Sequence, residues 1–182
     1  GMNLAFGASL SRKGGNEHPL RQYGNALLSA YPIAESRNVP YDRVRSMESR
    51  SLLDARLRCG KETIRVMVTH LSLYPLWRRQ QVRIISERLQ GNMLPVIVMG
   101  DFNMRPGSGS WREMSMLLKD ASAVKGKNTL TFPAHRPRTQ LDYIFVNGAW
   151  LVEDVSVFSH EPAASDHLPL AADLRFGASP VS

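Results

Sequence analysis

Cysteine is almost absent: Cys59 stands alone, so no disulfide can form within the chain and no cysteine-built zinc site is available. That thiol is expected to be inert. No run of eighteen apolar residues occurs, which excludes a membrane-spanning helix. The opening stretch from Gly1 to Phe6 has neither a basic leader nor a long apolar segment. Gly1 ahead of Met2 therefore reads as a cloning remnant, and a cytoplasmic location is the default. The five histidines, His18, His70, His135, His160 and His167, include no H-x-x-x-H pair, which argues against a histidine zinc centre. Negative charge is also in short supply, with 16 acidic against 23 basic residues, a net charge of +7 and a pI near 10.0. Such a balance favours polyanions or phosphorylated substrates. The arginines are spread through separate segments, Arg37 to Arg58 and Arg78 to Arg88, which suggests a basic face and not a disordered arm. Aromatic residues do not alternate with these charges as they would in a single-strand binding platform.

What is present fits a globular chain of 182 residues with 43% hydrophobic composition, expected to form one domain over residues 1–182 with a flexible small-residue tail at 177–182. The first twenty residues read as loop and edge, and Tyr23 to Ser29 as a buried strand. Two alternating runs, Ser51 to Leu57 and Thr63 to Leu71, flank Gly60 and predict a β-hairpin. From Pro75 to Gln90, Val82, Ile85 and Leu89 recur at helical spacing, with Arg78, Arg79, Arg83 and Glu87 free to face water. Pro95 to Gly100 is continuously apolar, the pattern of a strand covered on both faces. A second helix is expected from about Gly109 to Lys119, with Trp111, Met114, Leu117 and Leu118 on one side. Four short strands follow, at Thr129 to Phe132, Leu141 to Val146, Val152 to Phe158 and Leu168 to Leu174.

Ionisable residues cluster where apolar strands end, which is how a rigid sheet holds reactive groups at its rim. The segments are Thr69-His70-Leu71, Gly100-Asp101-Phe102-Asn103, Leu141-Asp142-Tyr143-Ile144-Phe145 and Ser165-Asp166-His167-Leu168-Pro169. Each alone has a plain structural explanation: His70 as a hydrogen-bonded strand residue, Asp101 and Asn103 as a turn, Asp166 as a loop cap. Asp142 is harder to dismiss, because a carboxylate between Leu141 and Tyr143 must be paired or hydrated. Together they supply the acid, base and phosphate-contacting groups of one reaction. A serine triad at Ser165-Asp166-His167 is disfavoured, since chain neighbours point apart and no G-x-S-x-G elbow is present.

With Tyr23-Gly24-Asn25-Ala26-Leu27-Leu28-Ser29 added, this set resembles the endonuclease/exonuclease/phosphatase superfamily of DNase I-like and exonuclease III-like enzymes, over about Tyr23 to Leu174. The resemblance implies an α/β (α+β) fold, a four-layer sandwich of two mainly antiparallel β-sheets flanked by helices. It also implies a metal-dependent phosphoesterase acting on phosphodiesters or phosphomonoesters. In that scheme His167 partners the scissile phosphate and Asp142 accepts its other ring proton. Asp101 positions or deprotonates the attacking water, Asn103 orients it, and His70 donates to a phosphoryl oxygen. Arg50 and Asn25 would contact substrate, and Asp166 would coordinate Mg²⁺ or Mn²⁺. Members of the family begin with an Asn-bearing strand and a helix carrying a metal-binding Glu. Nothing from Met2 to Gln22 reads as either, and Glu17 sits in a Gly-rich polar stretch. The expectation is a chain lacking that first strand and helix, N-terminally truncated, with weakened metal binding and activity. The alternative is a non-catalytic phosphate or nucleic-acid binding remnant, and an exposed sheet edge suggests a homodimer.

Overall fold

A computed structural model describes residues 1–14, 20–41, 48–159 and 164–177; Glu17, His18, Arg43, Arg45, His160 and the tail from 178 lie outside the described residues. The elements run β1 (Asn3–Lys13), β2 (Leu20–Ser29), β3 (Ile33–Pro40), β4 (Ser51–Cys59), β5 (Glu62–His70), α1 (Pro75–Leu89), β6 (Val96–Asp101), α2 (Gly109–Leu117), β7 (Lys119–Asp120), α3 (Ala121–Val124), β8 (Asp142–Val146), β9 (Trp150–Val157) and β10 (Leu170–Phe176). A six-stranded sheet in the order β3-β4-β5-β6-β8-β7 forms the centre, and two antiparallel ribbons, β1-β2 and β10-β9, make up a second layer. This mixed central sheet with flanking sheets and helices is the α/β sandwich expected above.

Period-two alternation decides which side chain enters which layer. On β4, Leu52 turns to one face while Leu53, Ala55 and Leu57 turn to the other. The first face packs Leu52, Met67, Val98 and Phe145 against Val82 and Ile85 of α1 and Met114 of α2. Phe102 sits edge-on to Phe145 at 5.2 Å and to Tyr143 at 5.7 Å between ring centroids, filling this layer at the end of β6. The second face sets Leu53, Val66 and Val146 against Ala5, Leu27 and Trp150 of the ribbons. The β4–β5 hairpin forms as read, turning at Gly60 in the left-handed region at φ 67°.

Several expectations need correction. Residues 3–13 are not loop: they form β1, paired with β2 from Asn3↔Ser29 to Lys13↔Leu20. Strand β2 is buried on alternate residues only. Thr129 to Phe132 makes a single bridge, Phe132↔Thr139; Thr129 bonds to the Ser122 hydroxyl, while Thr131 and Phe132 turn to Asp142 and His167. Arg78 does not face water; it is buried, its guanidinium bonded to three backbone carbonyls. Leu117 is exposed, as α2 ends there, while Met114 and Leu118 enter the core and Trp111 packs against it.

Candidate functional site

Four strands bring four residues into one row. The register pairs Leu52 with Thr69, hence Ser51 with His70; His70 pairs with Asp101, and Asp101 with Asp142. Neighbouring strands lie about 4.8 Å apart, so this row places three ionisable side chains within reach of one another on one face. Each ends or begins its strand, where the sheet gives way to loops. The row faces the ribbon side, and His167 reaches it from the segment leading into β10.

His167 Nδ1 lies 2.8 Å from Asp142 Oδ2, and its Nε2 lies 4.0 Å from Asp101 Oδ2. Burial raises the Asp142 carboxyl, opposed by hydrogen bonds from Thr131 and His167. Burial alone would lower His167, but the Asp142 hydrogen bond and the charges of Asp142, Asp101 and Asp166 outweigh it, so its imidazole holds a proton more firmly than an ordinary histidine. Phe132 packs on the His167 ring with centroids 4.9 Å apart, fixing its plane.

His70 Nε2 is 3.1 Å from Asp101 Oδ2, while its Nδ1 receives Arg50 Nη1 at 2.6 Å and lies 2.8 Å from the Tyr23 hydroxyl. A guanidinium can only donate, so Nδ1 accepts and the ring proton sits on Nε2, directed at Asp101. Arg50 also donates to the Tyr23 hydroxyl at 2.9 Å and pairs with Glu48 at 2.8 Å. Asn103 adopts a left-handed backbone, φ 47°, unusual outside glycine. In that conformation its N–H donates to Asp101 Oδ1 at 2.8 Å and its amide to Asp101 Oδ2 at 3.2 Å.

The structure therefore gathers His70, Asp101, Asn103, Asp142, His167 and Arg50. Asn25 stands one step back, buried, its amide donating to the Ser51 carbonyl at 2.8 Å. Asp166 is exposed; its backbone carbonyl accepts from Ala134 N–H at 2.7 Å and its carboxylate is 3.5 Å from the Ser165 hydroxyl. Asp101, Asp142 and His167 each offer an atom within 4.8 Å of the others, the spacing a metal ion would need, and Asp166 is not among them. Sequence reasoning missed Tyr23, Thr131 and Phe132. Tyr23 opens a motif already singled out, whereas nothing in the sequence marks the other two. Arg78, read as solvent-facing, donates to the Asn103 carbonyl at 2.6 Å and so braces that strained residue from α1.

Residues 3–167 match the Endonuclease/Exonuclease/phosphatase family. The uncharacterized protein YbhP of Escherichia coli K12 is 32% identical over 179 aligned residues, which cover 87% of this chain and 65% of that protein. The chain thus spans somewhat under two thirds of the curated relatives it matches. Among solved structures, an endonuclease/exonuclease/phosphatase family protein from Bacteroides thetaiotaomicron superposes with a TM-score of 0.78 at 16% identity, over 98% of this chain and 77% of the other. A mannosyl-6-phosphatase from the same species gives 0.74 at 17% identity, covering 97% and 78%. The human Nocturnin catalytic domain gives 0.70 at 22% identity, covering 97% and 73%. These likenesses establish a shared fold.

Proposed function

The chain belongs to the endonuclease/exonuclease/phosphatase family, and from that premise we propose that it is a phosphoesterase assisted by a divalent metal, Mg²⁺ or Mn²⁺. One observation carries this: the cross-strand row of His70, Asp101 and Asp142 meets His167 at hydrogen-bonding distances. His167, kept charged by Asp142, binds the scissile phosphate and stabilises its extra negative charge. Asp101 orients the attacking water and accepts its proton, and Asn103 holds that carboxylate by two hydrogen bonds. The Nε2–H of His70 turns from Asp101 to a phosphoryl oxygen when substrate enters. Arg50, already oriented by Tyr23, contacts the phosphate, and Asn25 fixes the Ser51 end of the row.

Asp101, Asp142 and His167 offer atoms within 4.8 Å of one another, and of these the two carboxylates are the oxygen donors that suit Mg²⁺ or Mn²⁺, His167 being kept charged. Asp142 is tied to His167, and Asp101 to Asn103 and His70, so the solvent-facing Asp166 is the carboxylate that would hold the ion. When bound, the metal neutralises charge developing on the phosphoryl and leaving oxygens.

Hydrolysis of bis(p-nitrophenyl) phosphate with and without Mn²⁺ tests the reading. We expect metal-stimulated turnover, reduced by about 10²-fold or more in Asp101→Ala and in His167→Ala. Nucleic-acid binding that weakens with salt, with no turnover under any metal, would instead identify a binding module.

A further inference from the structure

The N-terminus of α2 opens onto the first two turns of α1, and between them lies a cavity of about 680 Å³ lined by Pro75, Arg78, Arg79, Ser108, Gly109 and Arg112, among others. We propose that this cavity binds a second phosphate group of a substrate that carries more than one, such as the phosphate next to the scissile one on a nucleotide chain. The inference rests on the phosphoesterase reading and adds to it a subsite outside the reacting centre.

Charge comes first. Three guanidiniums face the cavity against one carboxylate, that of Glu113. Arg79 and Arg112 are exposed and have no acidic partner among the described residues. Neither helix carries an acidic residue in its first turn, so the positive end of α2 is uncompensated. The Ser108 side chain accepts only from Trp111 N–H, which leaves the N–H groups of Gly109 and Ser110 without a helical acceptor, as at any helix start.

Arg78 supplies an independent sign. It is 9% exposed, yet Nη1 alone makes its hydrogen bonds, while Nε has no partner. Nε is closed off as well as unpartnered, so the atom left to meet an anion on this cavity wall is Nη2, which makes no hydrogen bond among the described residues. Its Nη1 meanwhile holds the carbonyl of Asn103, whose amide holds Asp101. Asn103 thus links the cavity wall to the reacting carboxylate through two hydrogen bonds.

Two variants separate binding from folding. Arg79→Ala/Arg112→Ala removes exposed charges. Gly109→Asp puts a carboxylate at the first helical position, where a Cβ meets nothing within 4 Å. Asp there should stabilise α2 while repelling an anion, so a ligand role and a structural role move in opposite directions. Binding of a short fluorescein-labelled single-stranded oligonucleotide, followed by anisotropy in EDTA, is expected to weaken about tenfold in each variant and to depend less steeply on salt. Turnover of bis(p-nitrophenyl) phosphate, which has one phosphate, should be unchanged, and the melting temperature of Gly109→Asp equal or higher. Unchanged oligonucleotide affinity in both variants overturns the proposal. So does an equal fall in turnover of the single-phosphate compound, which would make the cavity part of the reacting centre. Loss of inorganic phosphate binding with oligonucleotide affinity intact would assign the cavity to a free anion, also against the proposal. If wild type never turns over the phosphodiester but the affinities shift as expected, the phosphoesterase reading fails and the subsite stands.

Discussion

His167 and Asp142 share a proton across 2.8 Å, and the bias of that proton sets how the site answers to pH. The net effect of three nearby carboxylates on His167 is upward despite its burial. A histidine raised in this way contributes stability that is complete below its ordinary value of about 6.5 and is lost as pH climbs through the raised one. Activity that needs the charged imidazole follows the same sign. We expect the alkaline limb of kcat/KM to fall above pH ~6.5, and Asp142→Asn to move that limb to lower pH. A pH–rate profile of both proteins measures it, and a limb that stays in place would remove His167 as the titrating group. The residues of this dyad were legible in the sequence, because a carboxylate inside an apolar strand has no cheap explanation. Thr131 and Phe132 were not: a threonine and a phenylalanine near a strand have many, and only the folded chain brings them to Asp142 and His167. Arg78 was misread for a related reason, since helical spacing assigns a face but cannot see the loop carbonyls that make burial of a guanidinium tolerable.

Among the elements, β6 does the most to assemble the site, and it does so through Gly100. This glycine sits at φ 137°, and a Cβ on it would stand 1.9 Å from the carbonyl oxygen of Thr69 on β5. The close approach lets the parallel pair continue to its last rung, His70↔Asp101, which is the contact the proposed chemistry needs. Gly100→Ala should therefore push β5 and β6 apart just where they carry the two residues. We expect a loss of about 2 kcal/mol or more in urea unfolding together with loss of turnover; a variant that folds with wild-type stability and activity would contradict the close packing. Strands such as β6, β5 and β4 were readable because large apolar residues point into the two cores. Strand β1 was not, because it inverts the pattern: small Ala5 and Gly7 face inward while Leu4 and Phe6 face out. Strand β3 is largely exposed and held by its ladder to β4, so burial left no periodic mark on its sequence.

At the scale of the molecule, that inversion has a consequence. The outer face of the β1-β2 ribbon pairs Leu4 with Leu28 and Phe6 with Ala26, and Leu4, Phe6 and Leu28 are 64%, 45% and 62% exposed. The ribbon layer is also not one sheet, since β1-β2 and β10-β9 are separately paired. Strand β2 packs over β4 and β5 and β10 over β8. Exposed apolar surface next to unpaired strand edges favours association, because both the hydrophobic term and the vacant backbone groups gain from a partner. In a purified preparation the available partner is a second copy, and we propose a homodimer formed through this layer. The net charge of +7 opposes the approach of two copies, so dimerisation should strengthen as salt rises, the reverse of the salt response expected for nucleic-acid binding. Sedimentation velocity should show a concentration-dependent dimer that Phe6→Lys/Leu28→Lys returns to monomer, while turnover, which depends on the opposite ends of β5, β6 and β8, is retained. A monomer at every concentration and salt would remove the dimer, and association undisturbed by the double variant would place it on another face.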